Sequence, residues 1–498
     1  MFSSTATALA ATLFAGTLPI TVHGAAIAQS FAPPSTSPTT SSQNYTGPSN
    51  TTINNSPVVQ GKAFNRFIQI WLENTDYATA SSSPVFQNLT QRGMLMSSYY
   101  GVTHPSEPNY VSAVAGDFFG MADDKFYAIP SNVSTVVDLL EAKNVSWASY
   151  QENMPYDGFT GFNYTEENYL TGSGNYVYYV RKHNPTIIFD SVASKPERAL
   201  RHRNFNDFAK DVDADALSQW VFITPNLVND AHDSTIDFTS AWLEYFLYPL
   251  LDNPSFNNNE TLILLTFDES ETYTINNQIY TIALGGVIDN AGLANTTDNT
   301  YYTHYSSLST VQANWELGSL GRQDTNKTVA NVYSFVANKT GYANNGLTGA
   351  QADNLPLTNL TGVFNGFCNP EQWTPILAQN FSAVGAGGGE VFIGQGVDKS
   401  LTSFAPLNLT EMGQPNPANS NPGFDYSNGS LVIATSSSPS SSAVPSSTVA
   451  SAPNQAVATG SSGSTPAPTS KTTSGSTNLV LGSGLACVVA LASILVLV

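Results

Sequence analysis

Three nearly continuous apolar runs constrain the fold of this 498-residue chain more than any other feature. They are RFIQIWLEN (66–74), SQWVFITPN (218–226) and TLILLTFDE (261–269). A strand with one face in water alternates apolar and polar residues, whereas these runs stay mostly apolar. They predict strands of a sheet that is covered on both faces.

Segments with helical spacing lie between these runs. STVVDLLEAK (134–143) and DFTSAWLEYFLYPLL (237–251) are the clearest, and the second repeats apolar residues at Phe238, Trp242 and Tyr245. Strands that alternate with helices are typical of an α/β fold. We therefore expect a mostly parallel central sheet with helices on both faces.

Polar groups follow each predicted strand. Glu73 and Asn74 follow the first run, Asn229, Asp230, His232 and Asp233 follow the second, and Asp268 and Glu269 close the third. The carboxyl ends of parallel strands meet at one sheet edge, where ligands bind. Carboxylates packed together there would raise one another's pKa, and a divalent cation would remove that repulsion. The alternative is that each is a polar strand end facing water.

The segment VTHPSEPNYVSAVAG (102–116) predicts a short helix that begins near Ser106 and is closed by Gly116. Serine is a favoured N-cap, and capping alone would explain Ser106. A helix N-terminus also binds phosphate, and a serine touching a metal there could attack phosphorus. His104 lies beside it and could orient the loop or protonate a leaving group.

Composition divides the chain into zones. We expect a signal peptide at 1–28, a disordered segment at 29–60, one globular catalytic domain at 61–415, a Ser/Thr/Pro-rich stalk at 427–477 and a hydrophobic GPI-attachment signal at 478–498. A buried first helix and a transmembrane tail are the respective alternatives for the two ends. These zones predict a secreted protein attached to the cell surface or cell wall.

Charge and glycosylation motifs exclude or favour particular partners. With 17 Lys and Arg against 37 Asp and Glu, the net charge of -20 argues against nucleic-acid binding. About fifteen Asn-x-Ser/Thr sites, including Asn88, Asn132, Asn259 and Asn338, predict N-linked glycans. Cys487 lies in the predicted tail, which leaves Cys368 without a partner for a disulfide.

A basic cluster stands out in this acidic chain. It comprises Arg181, Lys182, His183, Arg201, His202, Arg203 and Lys210. Such a cluster is either a solvated surface or a group of cations that steers the substrate or clamps its phosphate. The residues alone leave both interpretations open.

Several motifs together resemble one enzyme family. WLENTDY, THPSEPNYVSAVAGD, NDAHD, LTFDE and THYSSLSTVQANWELGSLGR, in this order, are similar to the phosphoesterase family of secreted fungal acid phosphatases, bacterial metal-dependent acid phosphatases and phospholipases C. The resemblance implies an alkaline-phosphatase-like α/β fold. It also implies a divalent metal ion, and the pair Asp268-Glu269 in place of the Asp-His of two-zinc enzymes favours fewer metals.

The resemblance also implies roles for individual residues. Metal ligands would be Glu73, Asn74, Ser106, Asp268 and Glu269; catalytic residues would be Ser106 as nucleophile with His232 and His304; and Asn74, His104 and Asp233 would contact substrate. These roles predict a secreted acid phosphatase that hydrolyses phosphate monoesters. A phospholipase C-type phosphodiesterase and a non-enzymatic, GPI-anchored cell-wall glycoprotein are the alternatives.

Overall fold

A computed structural model of the protein describes residues 51–119, 121, 123–168, 173–349 and 376–400, together with two short strands near residues 424 and 430. The predicted signal peptide at 1–28 and the tail at 478–498 lie outside the described residues, as does the stalk apart from one short strand. Among the described residues, no helix has both the length and the apolar character needed to span a bilayer.

The secondary structure alternates between strands and helices along the chain. The strands are β1 (Arg66–Leu72), β2 (Met94–Met96), β3 (Tyr99–Tyr100), β4 (Trp147–Gln151), β5 (Asn163–Glu167), β6 (Asn175–Val180), β7 (His202–Asn204), β8 (Trp220–Thr224), β9 (Thr261–Phe267), β10 (Thr281–Leu284), β11 (Thr296–Asp298), β12 (Tyr302–Thr303), β13 (Phe424–Asp425) and β14 (Ser430–Leu431). The helices are α1 (Tyr77–Ser82), α2 (Pro84–Arg92), α3 (Ser106–Ala115), α4 (Val136–Ala142), α5 (Asp190–Ala193), α6 (Pro196–Ala199), α7 (Phe205–Asp213), α8 (Ile236–Leu251), α9 (Gly286–Asn290), α10 (His304–Trp315) and α11 (Ser334–Thr340). Short 3₁₀ turns cover Arg181–His183, Pro185–Ile188 and Gln323–Thr325.

Eight strands form the central sheet in the order β11-β2-β10-β9-β1-β8-β4-β7. The five strands from β9 to β7 are parallel to one another, while β10 runs antiparallel to both β9 and β2. The three predicted strands are β1, β8 and β9, and they lie side by side at the centre. The predicted α/β fold with a mostly parallel sheet is confirmed.

Helices cover both faces of this sheet. Trp71 in β1 packs on Tyr110 of α3, with ring centroids 4.9 Å apart. Phe267 in β9 lies one position beyond the strand partner of Trp71, so its side chain is on the opposite face. It stacks there on Phe86 of α2 at 5.6 Å. The continuous apolar runs therefore reflect burial on two sides, as predicted.

The N-terminal segment departs from the prediction of disorder for residues 29–60. Residues 51–60 form neither a helix nor a strand, but Ile53 is buried, and its backbone N–H donates to Asp211 of α7 at 2.8 Å. The polar composition of the segment predicted disorder because it contains little to bury. Long-range hydrogen bonds, which composition does not show, hold its last ten residues against the domain.

Candidate active site

The carboxyl ends of β1, β8 and β9 bring the candidate residues to one edge of the sheet. β1 pairs with β8 on one side and with β9 on the other. Beyond the strands, the backbone N–H of Glu73 donates to the carbonyl of Asp230 at 2.8 Å, and that of Asp268 donates to the carbonyl of Leu72 at 3.1 Å. These contacts fix the loops that carry the carboxylates relative to one another.

Ser106 lies at the start of α3 and faces this edge. Its side chain is buried, and its Oγ donates a hydrogen bond to Oε2 of Glu73 at 3.0 Å. The N-cap is Pro105, so the interpretation of Ser106 as an N-cap is wrong: Ser106 is the first residue of the helix and makes no capping bond. The end of the helix is as predicted, since Gly116 adopts the left-handed conformation at φ 72°.

Glu73 is buried and is surrounded by donors. Besides Ser106, the hydroxyl of Tyr110 donates to Oε1, and His183 Nε2 lies 3.1 Å from the same oxygen. Burial alone would raise the pKa of Glu73. The charge and hydrogen bond of His183, and then the charge of Lys182, have the larger combined effect and lower the pKa of this carboxyl. Glu73 is therefore ionised, and it holds the Ser106 hydroxyl in a fixed orientation.

Glu73, His183 and Asp230 form a candidate metal centre. One ligand atom from each lies within 4.8 Å of the other two, and all three side chains are buried. Burial lowers the pKa of His183 to about 4, so its imidazole is neutral above that pH, as a metal ligand must be. Burial and the nearby charge of Glu73 raise the pKa of Asp230 well above its usual value. A divalent cation would relieve this repulsion.

Asp268 and Glu269 extend the cluster of carboxylates. Asp268 is fully buried, and no described side chain donates a hydrogen bond to either of its oxygens. Burial, and then the charges of Glu73 and Glu269, raise its pKa well above the usual value. Burial followed by Glu73 likewise raises the pKa of Glu269 to about 10. The two Asp268 oxygens and Oε1 of Glu269 have no donor among the described side chains, and such mutually repelling oxygens fit the hard-ligand chemistry of a divalent cation.

Two predicted histidines contact these two residues. His104 Nδ1 lies 2.8 Å from Oε2 of Glu269, and its ring stacks on Tyr273 with centroids 4.0 Å apart. His304 is fully buried, and its Nε2 donates to the backbone carbonyl of Asp268. Burial lowers the pKa of His304 to about 4. Both residues lie at the predicted site, and His304 is a neutral imidazole there.

The loop after β8 carries the predicted pair His232 and Asp233. His232 Nδ1 donates to Oδ1 of Asp233 at 2.7 Å, and Tyr176 donates to the other oxygen. The opposite nitrogen, Nε2, lies 3.4 Å from Nζ of Lys182. Asn74 is partly exposed next to Glu73, so its contacts with metal and phosphate stay predictions.

Comparison with known proteins places this arrangement in a family. Residues 23–318 match the Phosphoesterase family, which is more than half of the chain. The chain belongs to the phosphoesterase family. Membership confirms the resemblance seen in the sequence motifs, and with it the predicted class of phosphoric ester hydrolase.

Relatives of this phosphoesterase include fungal enzymes. An acid phosphatase of Aspergillus fumigatus is 51% identical over 292 residues, which cover 58% of this chain and 63% of that protein. A probable acid phosphatase of Kluyveromyces lactis is 45% identical over 66% of this chain and 74% of its own length. A phosphatidylinositol-3-phosphatase of Mycobacterium tuberculosis is 29% identical over 48% of this chain and 72% of that protein.

Among solved structures, a protein of the alkaline phosphatase superfamily from Vibrio parahaemolyticus superposes with a TM-score of 0.33. The identity is 10%, over 52% of this chain and 68% of that one. The fold class of the phosphoesterase rests on its own strand order.

Sequence reasoning placed Asp230 at this edge of the sheet without giving it a role, and it left Lys182 and His183 in a basic cluster with two open interpretations. Lys182 and His183 belong to the basic cluster and lie in a 3₁₀ turn that directly follows β6. Other members of the cluster are structural, since Arg203 pairs with Asp157 at 3.2 Å inside the protein. The basic cluster in the sequence indicated a source of cations for the site. Only the three-dimensional path of the chain shows which of its members reach the site.

Proposed function

We propose that the protein is a metal-dependent acid phosphatase that hydrolyses phosphate monoesters. The observation that carries the proposal is the hydrogen bond from the Ser106 hydroxyl to Glu73, at the N-terminus of a helix and among buried carboxylates. The fungal relatives named acid phosphatase support the substrate class. No such constellation is needed by a purely structural cell-wall glycoprotein.

In the proposed reaction, Ser106 Oγ gives up its proton to water and forms a bond to phosphorus, and the bond from phosphorus to the ester oxygen breaks. The leaving alcohol takes up a proton, and water then cleaves the phosphoserine to release phosphate and restore the hydroxyl. Glu73 orients the serine oxygen for attack. Backbone N–H groups at the start of α3 favour the negative charge of the phosphoryl group.

Two histidines, His232 and His304, were predicted to be catalytic, and their surroundings differ. The His232 side chain is 29% exposed, and Asp233 orients it through Nδ1. His304 is fully buried and bonded to the Asp268 carbonyl. We therefore place His232 beside the leaving alcohol, which takes its proton from water, and assign a positioning role to His304.

The residues present fit a divalent cation. Glu73, His183 and Asp230 would hold it, with Asp268 and Glu269 as further oxygen ligands. A bound divalent ion supplies positive charge that stabilises phosphoryl oxygens and lowers the pKa of a coordinated hydroxyl. A mixed nitrogen and oxygen ligand set suits a transition metal better than calcium or magnesium.

Release of nitrophenol from p-nitrophenyl phosphate by wild type and Ser106→Ala tests the proposal. Loss of the nucleophile should lower kcat by about a thousandfold or more. Ser112→Ala is a matched control because Ser112 is a buried serine on the same helix and lies away from Glu73. Equal rates for wild type and Ser106→Ala would refute the proposed nucleophile.

We propose further that the protein acts outside the cell and is held by a GPI anchor. The apolar segments at 1–28 and 478–498 support this, and the sequon residues Asn88, Asn259 and Asn338 are exposed. Treatment of intact cells with a phosphatidylinositol-specific phospholipase C should release the protein. Retention on the cells after this treatment would contradict the anchor.

A further inference from the structure

Lys182 stands out in the site because it is a nearly buried cation among carboxylates. Its side chain is 12% exposed, and Nζ pairs with Oδ2 of Asp124 at 2.9 Å. Nζ also lies 3.4 Å from Nε2 of His232. Since His232 Nδ1 donates to Asp233, Nε2 is the acceptor that faces the ammonium group. Lys182 is thus held between a carboxylate and an imidazole.

The charge of Lys182 reaches the whole cluster. It acts to lower the pKa of Glu73, Asp230, Asp268 and Glu269. The protein carries a net charge of -20, so an anionic substrate needs a local cation to bind at this edge. Lys182 supplies one directly from the chain.

Asp124 occupies a position that suits a phosphate oxygen. Its Oδ1 accepts the backbone N–H of Glu107 at 3.0 Å, one residue after the proposed nucleophile, while Oδ2 pairs with Lys182. The carboxylate therefore bridges a helix N-terminus and a lysine, and both groups are donors that a phosphoryl group would use. Asp124 is 28% exposed, which leaves it room to move toward solvent.

We propose that Lys182 binds the phosphoryl group of the substrate and that Asp124 competes with phosphate for Lys182. This inference rests on the proposed phosphatase function. It adds Lys182 as the residue that recognises the anionic substrate and Asp124 as the residue that competes with that anion. Substrate phosphate replaces the Asp124 carboxylate at Nζ, and the released carboxylate turns to water. The pair makes binding weaker than Lys182 alone would allow, which favours release of the phosphate product.

Variants of the two residues should have opposite effects on phosphate binding. Asp124→Asn keeps an oxygen for the Glu107 N–H but removes the charge opposite Lys182, so inorganic phosphate should bind several-fold tighter. Lys182→Met keeps the length of the side chain but removes the ammonium group, so phosphate should bind about tenfold or more weakly. In the double variant, Asp124→Asn should no longer tighten binding, because Lys182 is absent.

Titration calorimetry of the metal-loaded protein with inorganic phosphate measures all four forms. Asp123→Asn is the matched control: it removes the same charge from the same loop, where Asp123 pairs with Lys125 at 2.6 Å, and should leave phosphate affinity unchanged. Weaker binding by Asp124→Asn, or the same tightening with Lys182→Met present, overturns the proposal. If Lys182→Met does not fold, Asp124→Asn alone tests the proposal. Competition for Lys182 predicts that this variant binds phosphate more tightly, whereas a purely structural role of Asp124 predicts weaker binding.

The measurement separates this inference from the proposed function. Phosphate affinity requires no turnover and is measured equally well on Ser106→Ala. If wild type hydrolyses no monoester but the variants shift phosphate affinity as expected, the phosphatase function fails and the roles of Lys182 and Asp124 stand. If monoesters are hydrolysed but the variants do not shift phosphate affinity, the phosphatase function stands and the proposed roles of Lys182 and Asp124 fail.

Discussion

Replacement of Glu152 by Gln should remove a specific part of the pH dependence of stability. Glu152 directly follows β4 and is buried, and its oxygens accept bonds from the Asn226 backbone and the Asn229 side chain, each at 2.9 Å. Burial raises the pKa of Glu152, and the two hydrogen bonds lower it. Because the effect of burial is larger, the pKa rises from 4.5 to about 7.

The sign and the size of the effect follow from linkage. Because the folded-state pKa is raised, the folded protein binds this proton more tightly than the unfolded chain does. The stabilisation is fully present below pH 4.5 and is lost as pH rises through 7. A difference of roughly 2.5 pKa units at about 1.36 kcal/mol each corresponds to roughly 3 kcal/mol. The free energy of unfolding should therefore fall by about this amount from this group alone.

Urea unfolding of wild type and Glu152→Gln, at pH values from 4 to 8, measures the effect. The substitution also replaces one acceptor by a donor, which shifts stability equally at every pH. The difference between the two proteins should therefore change by about 3 kcal/mol across the series, with wild type losing relative stability as pH rises. Parallel curves, or a wild type that gains relative stability at high pH, would refute the argument from burial.

Three further outcomes are expected. Tyr110→Phe removes a donor to Glu73 and should lower kcat by about tenfold, while an unchanged kcat would show that this bond is dispensable. Removal of metal by a chelator should abolish hydrolysis, and elemental analysis of Asp268→Asn should show less bound metal than wild type; full occupancy in the variant would argue against Asp268 as a ligand. Phe246→Ala, which empties a buried site stacked on Phe205 at 5.4 Å, should cost about 3–5 kcal/mol of unfolding free energy without changing metal content.

The central sheet could be predicted because its signal is local. The runs that form β1, β8 and β9 are apolar at nearly every position, and each is followed within a few residues by carboxylates. The parallel arrangement then brings Glu73 and Asp268 to one edge without further information. The same reasoning explains why Ser106 was found, since its segment carries helix signals together with a hydroxyl at the predicted start of the helix.

The missed residues depend on contacts that no local pattern encodes. His183 reaches Glu73 only because the hairpin of β5 and β6 returns the chain to the sheet edge, where a 3₁₀ turn aims the imidazole inward. Neighbouring Arg181 points elsewhere and donates to backbone carbonyls, including that of Tyr127 at 2.9 Å. Adjacent basic residues thus have unrelated roles, which composition alone does not distinguish.

The central claim is that Ser106 carries the phosphoryl group during turnover. Acid quenching of the metal-loaded protein during hydrolysis of p-nitrophenyl phosphate, followed by peptide mass spectrometry, tests it most directly. We expect phosphate on Ser106 in wild type and no phosphorylated peptide from Ser106→Ala. Phosphate trapped on another residue, or an unmodified Ser106 peptide under conditions that accumulate the intermediate, would contradict the account.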